Sequence, residues 1–189
     1  DYQIYNSQEN QTIATNSVLT NINYFNNNVF KGDLNIGSNI RYIKPEVYAY
    51  SNSLNETRLD FFASYKKTFF KKLDIAVNLR DAFVTDYKSH FTPSIGIEYL
   101  LINSSTNELY CRTSAAHSYK TPTFNQRYWQ PGGNPNLLPE SGNNYEAGLT
   151  YCHKKKRNTI KVSFTAFQMF TNNLIQWVND GVWTPKNIE

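Results

Sequence analysis

Two cysteines, Cys111 and Cys152, are all that this 189-residue chain carries. Two thiols cannot build the multi-bridge framework of a small secreted domain. The strand assignments below put them on opposite faces of a sheet, so they are expected to be unpaired. Long apolar runs are missing too. No stretch approaches the roughly 18 residues of a membrane helix, and the mean hydropathy is −0.59. That excludes a helical span. It does not exclude transmembrane strands, which alternate lipid-facing and lumen-facing side chains and so keep a low average. Charged residues are 18% of the chain and the net charge is a modest +4. The bases gather in short clusters at Lys66 and Lys67, Lys71 and Lys72, and Lys154 to Arg157. Clusters this short, with no basic stripe, argue against a nucleic-acid partner. At turns they suit solvent or anionic lipid headgroups. No apolar leader is visible in the polar stretch Asp1 to Asn16. His90, His117 and His153 lack metal-ligand spacing. No G-x-S-x-G or similar nucleophile constellation occurs. Neither a metal, a cofactor nor a catalytic residue is expected.

Aromatics and alternation are abundant. Aromatic residues make up 15% of the chain, with 14 Tyr and 12 Phe, and low charge with many Tyr, Asn and Thr favours a β protein over disorder. Period-2 patterning recurs between turn signals. In Leu34 to Tyr42, Leu34, Ile36, Ile40 and Tyr42 oppose Asn35, Asn39 and Arg41. In Arg58 to Lys66, Leu59, Phe61, Ala63 and Tyr65 oppose Arg58, Asp60, Ser64 and Lys66. Leu73 to Arg80, Phe91 to Tyr99 and Thr159 to Thr165 repeat the alternation. It is weaker over Val18 to Tyr24, Leu109 to Tyr119 and Tyr145 to Tyr151, and a short strand is expected at Leu174 to Val178. That makes about nine strands. Many exceed the five or six residues common in soluble strands and suit a tilted membrane span of about 9–11. The connections at Lys66 to Lys72, Leu101 to Asn107 and His153 to Asn158 are short. Those at Pro45 to Glu56, Tyr119 to Ser141 and Thr171 to Pro185 are long, and Tyr87 to His90 reads as a brief turn on that same side. Short turns at one end and long loops at the other are the habit of outer-membrane barrels, the long side extracellular.

The most specific stretch runs from Ser118 to Tyr151. It holds Thr121-Pro122-Thr123, the cluster Arg127, Tyr128, Trp129 and Gln130, the pair Gly132 and Gly133, then Asn134-Pro135-Asn136-Leu137-Leu138-Pro139-Glu140 and a strand with Glu146-Ala147-Gly148. The prolines forbid a regular strand here and set rigid turns. The glycines allow backbone angles closed to other residues. This order resembles the barrel segment of TonB-dependent outer-membrane receptors, where a P-T loop leads to G-N-P-x-L-x-P-E and then to a strand carrying E-x-G. The vitamin B12 and siderophore branch is the most similar.

The resemblance implies an all-β fold, about nine strands of an antiparallel transmembrane barrel of about 22. The plug domain and the terminal strands are expected to lie outside these 189 residues. Asp1 to Tyr5 reads as entering mid-barrel, and Thr184 to Glu189 as stopping where a new strand begins. It implies energy-coupled uptake, without bond chemistry, of a small-molecule ligand such as cobalamin or an iron chelate. Outer-membrane lipid and, through the plug, the TonB complex would be partners, and a surface lipoprotein is a further one it allows. The location would be the bacterial outer membrane. Thr121, Pro122, Thr123, Asn134, Pro135, Leu137, Pro139, Glu140, Glu146 and Gly148 would be structural, and Arg127 to Gln130 would touch ligand. Arg41, Arg58, Asp60, Asp74, Arg80, Glu98, Arg112 and Glu146 would line a lumen facing the plug. Two readings compete: a small adhesive or structural outer-membrane barrel, and a soluble carbohydrate-binding β-sandwich whose aliphatic face is buried.

Overall fold

The computed structural model describes residues 13–51 and 53–188, so Asp1 to Tyr5 lies outside the described residues. Strands β1 (Ile13–Val29), β2 (Gly32–Val47), β3 (Glu56–Phe69), β4 (Leu73–Val84), β5 (Tyr87–Phe91), β6 (Ser94–Asn103), β7 (Asn107–Lys120), β8 (Glu140–Lys155) and β9 (Asn158–Asn172) form one antiparallel sheet. A short helix, α1 (Phe124–Tyr128), lies between β7 and β8, and β10 (Leu174–Asn179) and β11 (Trp183–Ile188) make a separate hairpin. Each long strand pairs antiparallel with the next long strand in the chain, and β5 lies off this path, paired with β4. Among the described residues β1 pairs only β2 and β9 pairs only β8, which leaves an open sheet.

The register keeps the two faces separate across the sheet. Leu34, Tyr65, Val77, Ile95, Ala115 and Tyr145 follow one another through successive pairings. The opposite face carries the row Lys66, Ala76, Gly96, Ser114 and Glu146. On β4 the apolar face runs from Leu73 to Phe83, ten steps of ~3.3 Å, which at a tilt of ~40° is roughly 25 Å, the height of a membrane barrel's apolar band. Asp81 on β4 and Gln168 on β9 interrupt this face one position from its long-loop edge. The face is bare: Phe164 is 73% exposed, Ile22 66% and Val162 60%. An apolar surface of this extent is far beyond what a soluble monomer shows to water. The sandwich reading required these residues to be buried, and they are not.

Two of the short connections share a left-handed pair: the two-residue turn between Val29 and Gly32, and the three-residue turn between Phe69 and Leu73. Phe30 and Lys31 have φ of 49° and 61°, and Phe70 and Lys71 have 50° and 56°. A hairpin with two left-handed central residues matches the right-handed twist of its strands, and Asn-Gly is the usual sequence. Phe and Lys hold the same shape at a cost of about 1–2 kcal/mol each.

Two sequence readings need correction. Tyr87 to His90 is not a turn but the start of β5; the turn is at Thr85 and Asp86, the latter with φ 69°. Thr171 to Pro185 is not an open loop but holds most of the β10–β11 hairpin, with Trp177 opposite Pro185. Strands β5 and β6 continue one line that breaks at Pro93, which has no N–H to donate. Thr92 N still donates to Arg80 O (2.7 Å) and Pro93 O accepts from His117 N (2.9 Å). Beyond the break β5 pairs β4 alone, and the gap towards β7 holds the stacked rings of His90 and Tyr119, centroids 3.5 Å apart. Cys111 pairs with Leu149 and Cys152 with Glu108, so the two thiols point to opposite faces, and both are free.

Replacing Phe70 by Asn together with Lys71 by Gly should stabilise the barrel by about 1 kcal/mol or more, since both residues then adopt a positive φ readily. A rise in the urea midpoint of the detergent-folded protein checks this.

Candidate functional site

Burial concentrates at the long-loop end. Ala49, Glu56, Ile175 and Pro185 are buried there, together with Pro122, Arg127 and Leu137 of the strap formed by residues 121–139. The strap leaves β7 through Pro122. Thr123 then caps α1: its hydroxyl accepts from Gln126 N, and the Gln126 side chain accepts from Thr123 N at 2.8 Å. This reciprocal box starts a helix of five residues with no help from length.

The cap aims Arg127 inward. Its guanidinium is 3% exposed and pairs through Nη2 with Glu56, itself 1% exposed. Arg58 Nε holds the other oxygen of that carboxylate at 2.6 Å. The rings of Phe124, Tyr128 and Tyr87 surround the Arg127 guanidinium at 4.9, 5.0 and 5.5 Å from its carbon. One carboxylate thus serves two buried or half-buried cations, and aromatic faces take up the remaining charge. Arg127 is therefore directed into the base of the strap, while Tyr128, Trp129 and Gln130 follow it outward.

Backbone bonds fix those three. Gln130 N donates to Ala49 O at 2.9 Å, part of a bridge between Tyr50 and Trp129. The Tyr50 hydroxyl donates to Asn125 Oδ1; burial pushes its pKa up, against the pull of the nearby Arg127 charge. Tyr48 packs edge-on against Trp129, centroids 5.9 Å apart. Gly132 has φ 109°, and a Cβ there would lie 2.2 Å from Trp183 O, so both conformation and space demand glycine.

The remaining strap residues knit it to the β10–β11 hairpin and β8. Asn134 donates to Pro185 O (3.1 Å), and its Oδ1 accepts from Asn136 N (3.0 Å). Asn187 Oδ1 accepts from Leu138 N (2.8 Å) while its amide donates to Leu138 O (2.9 Å). Glu140 takes Lys120 Nζ at 2.9 Å and Ile175 N at 2.8 Å. Pro135, Leu137 and Pro139 line a cavity of about 460 Å³ with Tyr87, His90 and Tyr128. A second cavity, about 650 Å³, lies between the strap and the hairpin and is lined by Trp129, Trp177 and Trp183. Trp177 and Trp183 were not singled out in the sequence.

The polar face of the sheet carries the charges expected for a lumen. Arg80 Nη2 pairs with Asp60 at 2.8 Å, Arg112 Nε with Glu98, and Lys66 with Asp74 at 3.9 Å. Arg41, opposite Arg58, and Glu146, opposite Ser114, have no ion pair among the described residues. Glu146 borders a hollow of about 500 Å³ whose floor includes Ala76, Gly96, Ser114 and Gly148. A Cβ on Gly148 would sit 2.8 Å from Phe164 O, so the neighbouring strand excludes a side chain there; one on Gly96 would meet no atom within 4 Å.

Comparison with known proteins settles the family. The family model described as TonB dependent receptor-like, beta-barrel, matches residues 1–188. The chain belongs to this family. The vitamin B12 transporter BtuB of Photobacterium profundum is 27% identical over 175 residues, covering 88% of this barrel segment and 28% of that protein. The vitamin B12 transporter BtuB of Vibrio vulnificus is 27% identical over 146 residues, 75% of this segment and 22% of the relative. The receptor-barrel segment thus spans about a quarter of these curated relatives. The crystal structure of the siderophore receptor PirA from Pseudomonas aeruginosa shares its fold, with a TM-score of 0.75 at 16% identity over 92% of this segment and 34% of that chain. An antiparallel segment of a larger TonB-receptor barrel, as the motif implied, is the fold observed.

Glu56→Ala leaves the buried Arg127 charge without its partner, which should destabilise the strap by about 3–5 kcal/mol. Limited proteolysis should then cut within residues 121–139 while the strands stay protected.

Proposed function

We propose that this segment is part of the wall of an outer-membrane receptor that imports a scarce small-molecule ligand, such as cobalamin or an iron siderophore, by TonB-dependent coupling. The observation that carries this reading is the unlike chemistry of the two faces of one sheet. One is a bare apolar band suited to lipid. The other is wet and ion-paired, with room left on it. Exposed pairs such as Arg80 with Asp60 are worth about 0–1 kcal/mol each, and water replaces such bonds as they break. A plug held by contacts of this kind stays seated yet yields to a pull. Gly96 supports a filled lumen: a mid-strand glycine costs roughly 0.5–1 kcal/mol against alanine, and within this chain no neighbour requires one.

In this reading the strap is the extracellular element, Tyr128, Trp129 and Gln130 meet the ligand, and Arg127 anchors them from below. Thr121, Pro122, Thr123, Asn134, Pro135, Leu137, Pro139 and Glu140 hold the strap in shape. Arg41, Arg58, Asp60, Arg80, Glu98, Arg112 and Glu146 face the plug, through which the TonB complex acts. The family relatives are transporters and receptors by name, and no catalysis is assigned.

The direct test is uptake by cells expressing the full-length receptor, using radiolabelled cobalamin and a ferric siderophore with and without a protonophore. Uptake that collapses when the proton gradient is discharged supports the proposal; uptake of neither ligand, or uptake indifferent to the protonophore, sinks it. Gly96→Leu places a side chain in the open hollow without straining the strand. Overpacking of about 1–3 kcal/mol against whatever fills the lumen would lower coupled uptake ~tenfold while the barrel still assembles. Unchanged uptake would mean that this hollow meets no plug.

A further inference from the structure

We propose that the cleft between the strap and the β10–β11 hairpin binds a neutral saccharide. The proposal goes beyond the uptake reading and takes from it only that the long-loop end faces the medium.

The hairpin register builds the cleft. Trp177 pairs with Pro185 and Asn179 with Trp183, so these four share one face with Ile175 and Asn187. The inner part of that face is closed: Ile175 and Pro185 are buried, and Asn187 and Pro185 are tied to the strap. The outer part is open, and Trp177, Asn179 and Trp183 meet Asn125, Trp129 and Pro131 across the cleft. All three tryptophans of the chain are therefore in one place.

Trp183 is 58% exposed and Trp177 41%. They stand at the long-loop end, off the sheet that carries the apolar band, where bare rings suit a ligand rather than lipid. The volume of about 650 Å³ falls within the roughly 300–1,000 Å³ of ligand pockets. Among the described residues no ionisable side chain lines the cleft, so an anionic chelate would find no compensating charge there. Polar recognition comes from amides. Asn179 is free to donate and accept, and Asn125, whose Oδ1 is taken by the Tyr50 hydroxyl, presents its N–H donors. Flat indole faces for the C–H faces of a sugar ring, with side-chain amides for its hydroxyls, suit a neutral pyranose. Gly181 at the hairpin tip, with φ 83° and open space where a Cβ would be, leaves the mouth clear. Trp129 is held edge-on by Tyr48 and by its bridge to Tyr50, so one wall is preorganised.

The test uses the full-length receptor in detergent, fluorescently labelled and applied to an array of neutral glycans, with calorimetry on the best binder. Trp177→Ala and Trp183→Ala should each weaken that binding by about tenfold or more, with Trp183→Phe retaining most of it. Retention of the folded, heat-modifiable barrel band shows that the variants are intact. Absence of binding to every neutral glycan, or binding that survives both alanine changes, overturns the proposal. So does cobalamin, a ferric siderophore or a peptide whose binding is lost in these variants while no glycan binds. Energy-coupled uptake without glycan binding would leave the uptake reading standing and remove this one; glycan binding without coupled uptake would do the reverse.

Discussion

A slip of one residue between any two neighbours from β1 to β9 would carry lysines and aspartates onto the bare apolar side and leucines onto the wet side. The register of the backbone ladder is thus the constraint from which the rest follows, because strand side chains alternate with a period of two. It is enforced by the fit of each strand's pattern to its neighbours', since few side chains on either face are buried. In lipid the same ladder must also satisfy every backbone donor and acceptor. Strand length, turn type and the placing of Asp60 against Asn39 and Ala82 all serve that one condition.

Where the ladder ends, a different kind of stability takes over. The long-loop end has few apolar core residues and gains order from a shared carboxylate. Glu56 sits at the start of β3 and Arg127 in α1, 71 residues apart, and the pair brings the strap down onto the sheet. A buried pair of this sort contributes modest net stability against an apolar substitute, but an alternative strap position would leave the Arg127 charge unpaired, with Glu56 held by Arg58 alone. That fixes where Trp129 stands. Asn187, bonded to both Leu138 and Asn173, does the same for the hairpin.

Much of this was legible in the sequence, and the failures are instructive. The alternation of Leu34 to Tyr42, Arg58 to Lys66 and Leu73 to Arg80 survives as β2, β3 and β4, because one apolar parity per strand is the physical requirement itself. The signal in β1 was thin: asparagines occupy both parities, and the strand owes its 17 residues to pairing with β2. Strand β5 was invisible because Lys88 and Ser89 carry no apolar parity and the strand is short. Pro185 hid β11, since proline usually argues against a strand; it is tolerated in a two-stranded hairpin. Within the strap the turn-forming residues could be read, whereas the direction of Arg127 depends on Glu56, and no local pattern reports a partner that distant. The gathering of three tryptophans likewise depends on a hairpin pairing and a strap path that spacing alone does not encode.

Pro93 has a mechanical consequence. Below it the wall is a continuous hydrogen-bonded sheet, stiff against shear. Above it the β4–β5 tip is a cantilever, clamped along β4 and free along the side facing β7. Its bending resistance comes from the His90 and Tyr119 rings and from the strap, which are softer springs than a ladder of amides. The rim can therefore flex at this tab without breaking a backbone bond, and a load applied to the polar face would deform the rim there before it strained the continuous part of the sheet.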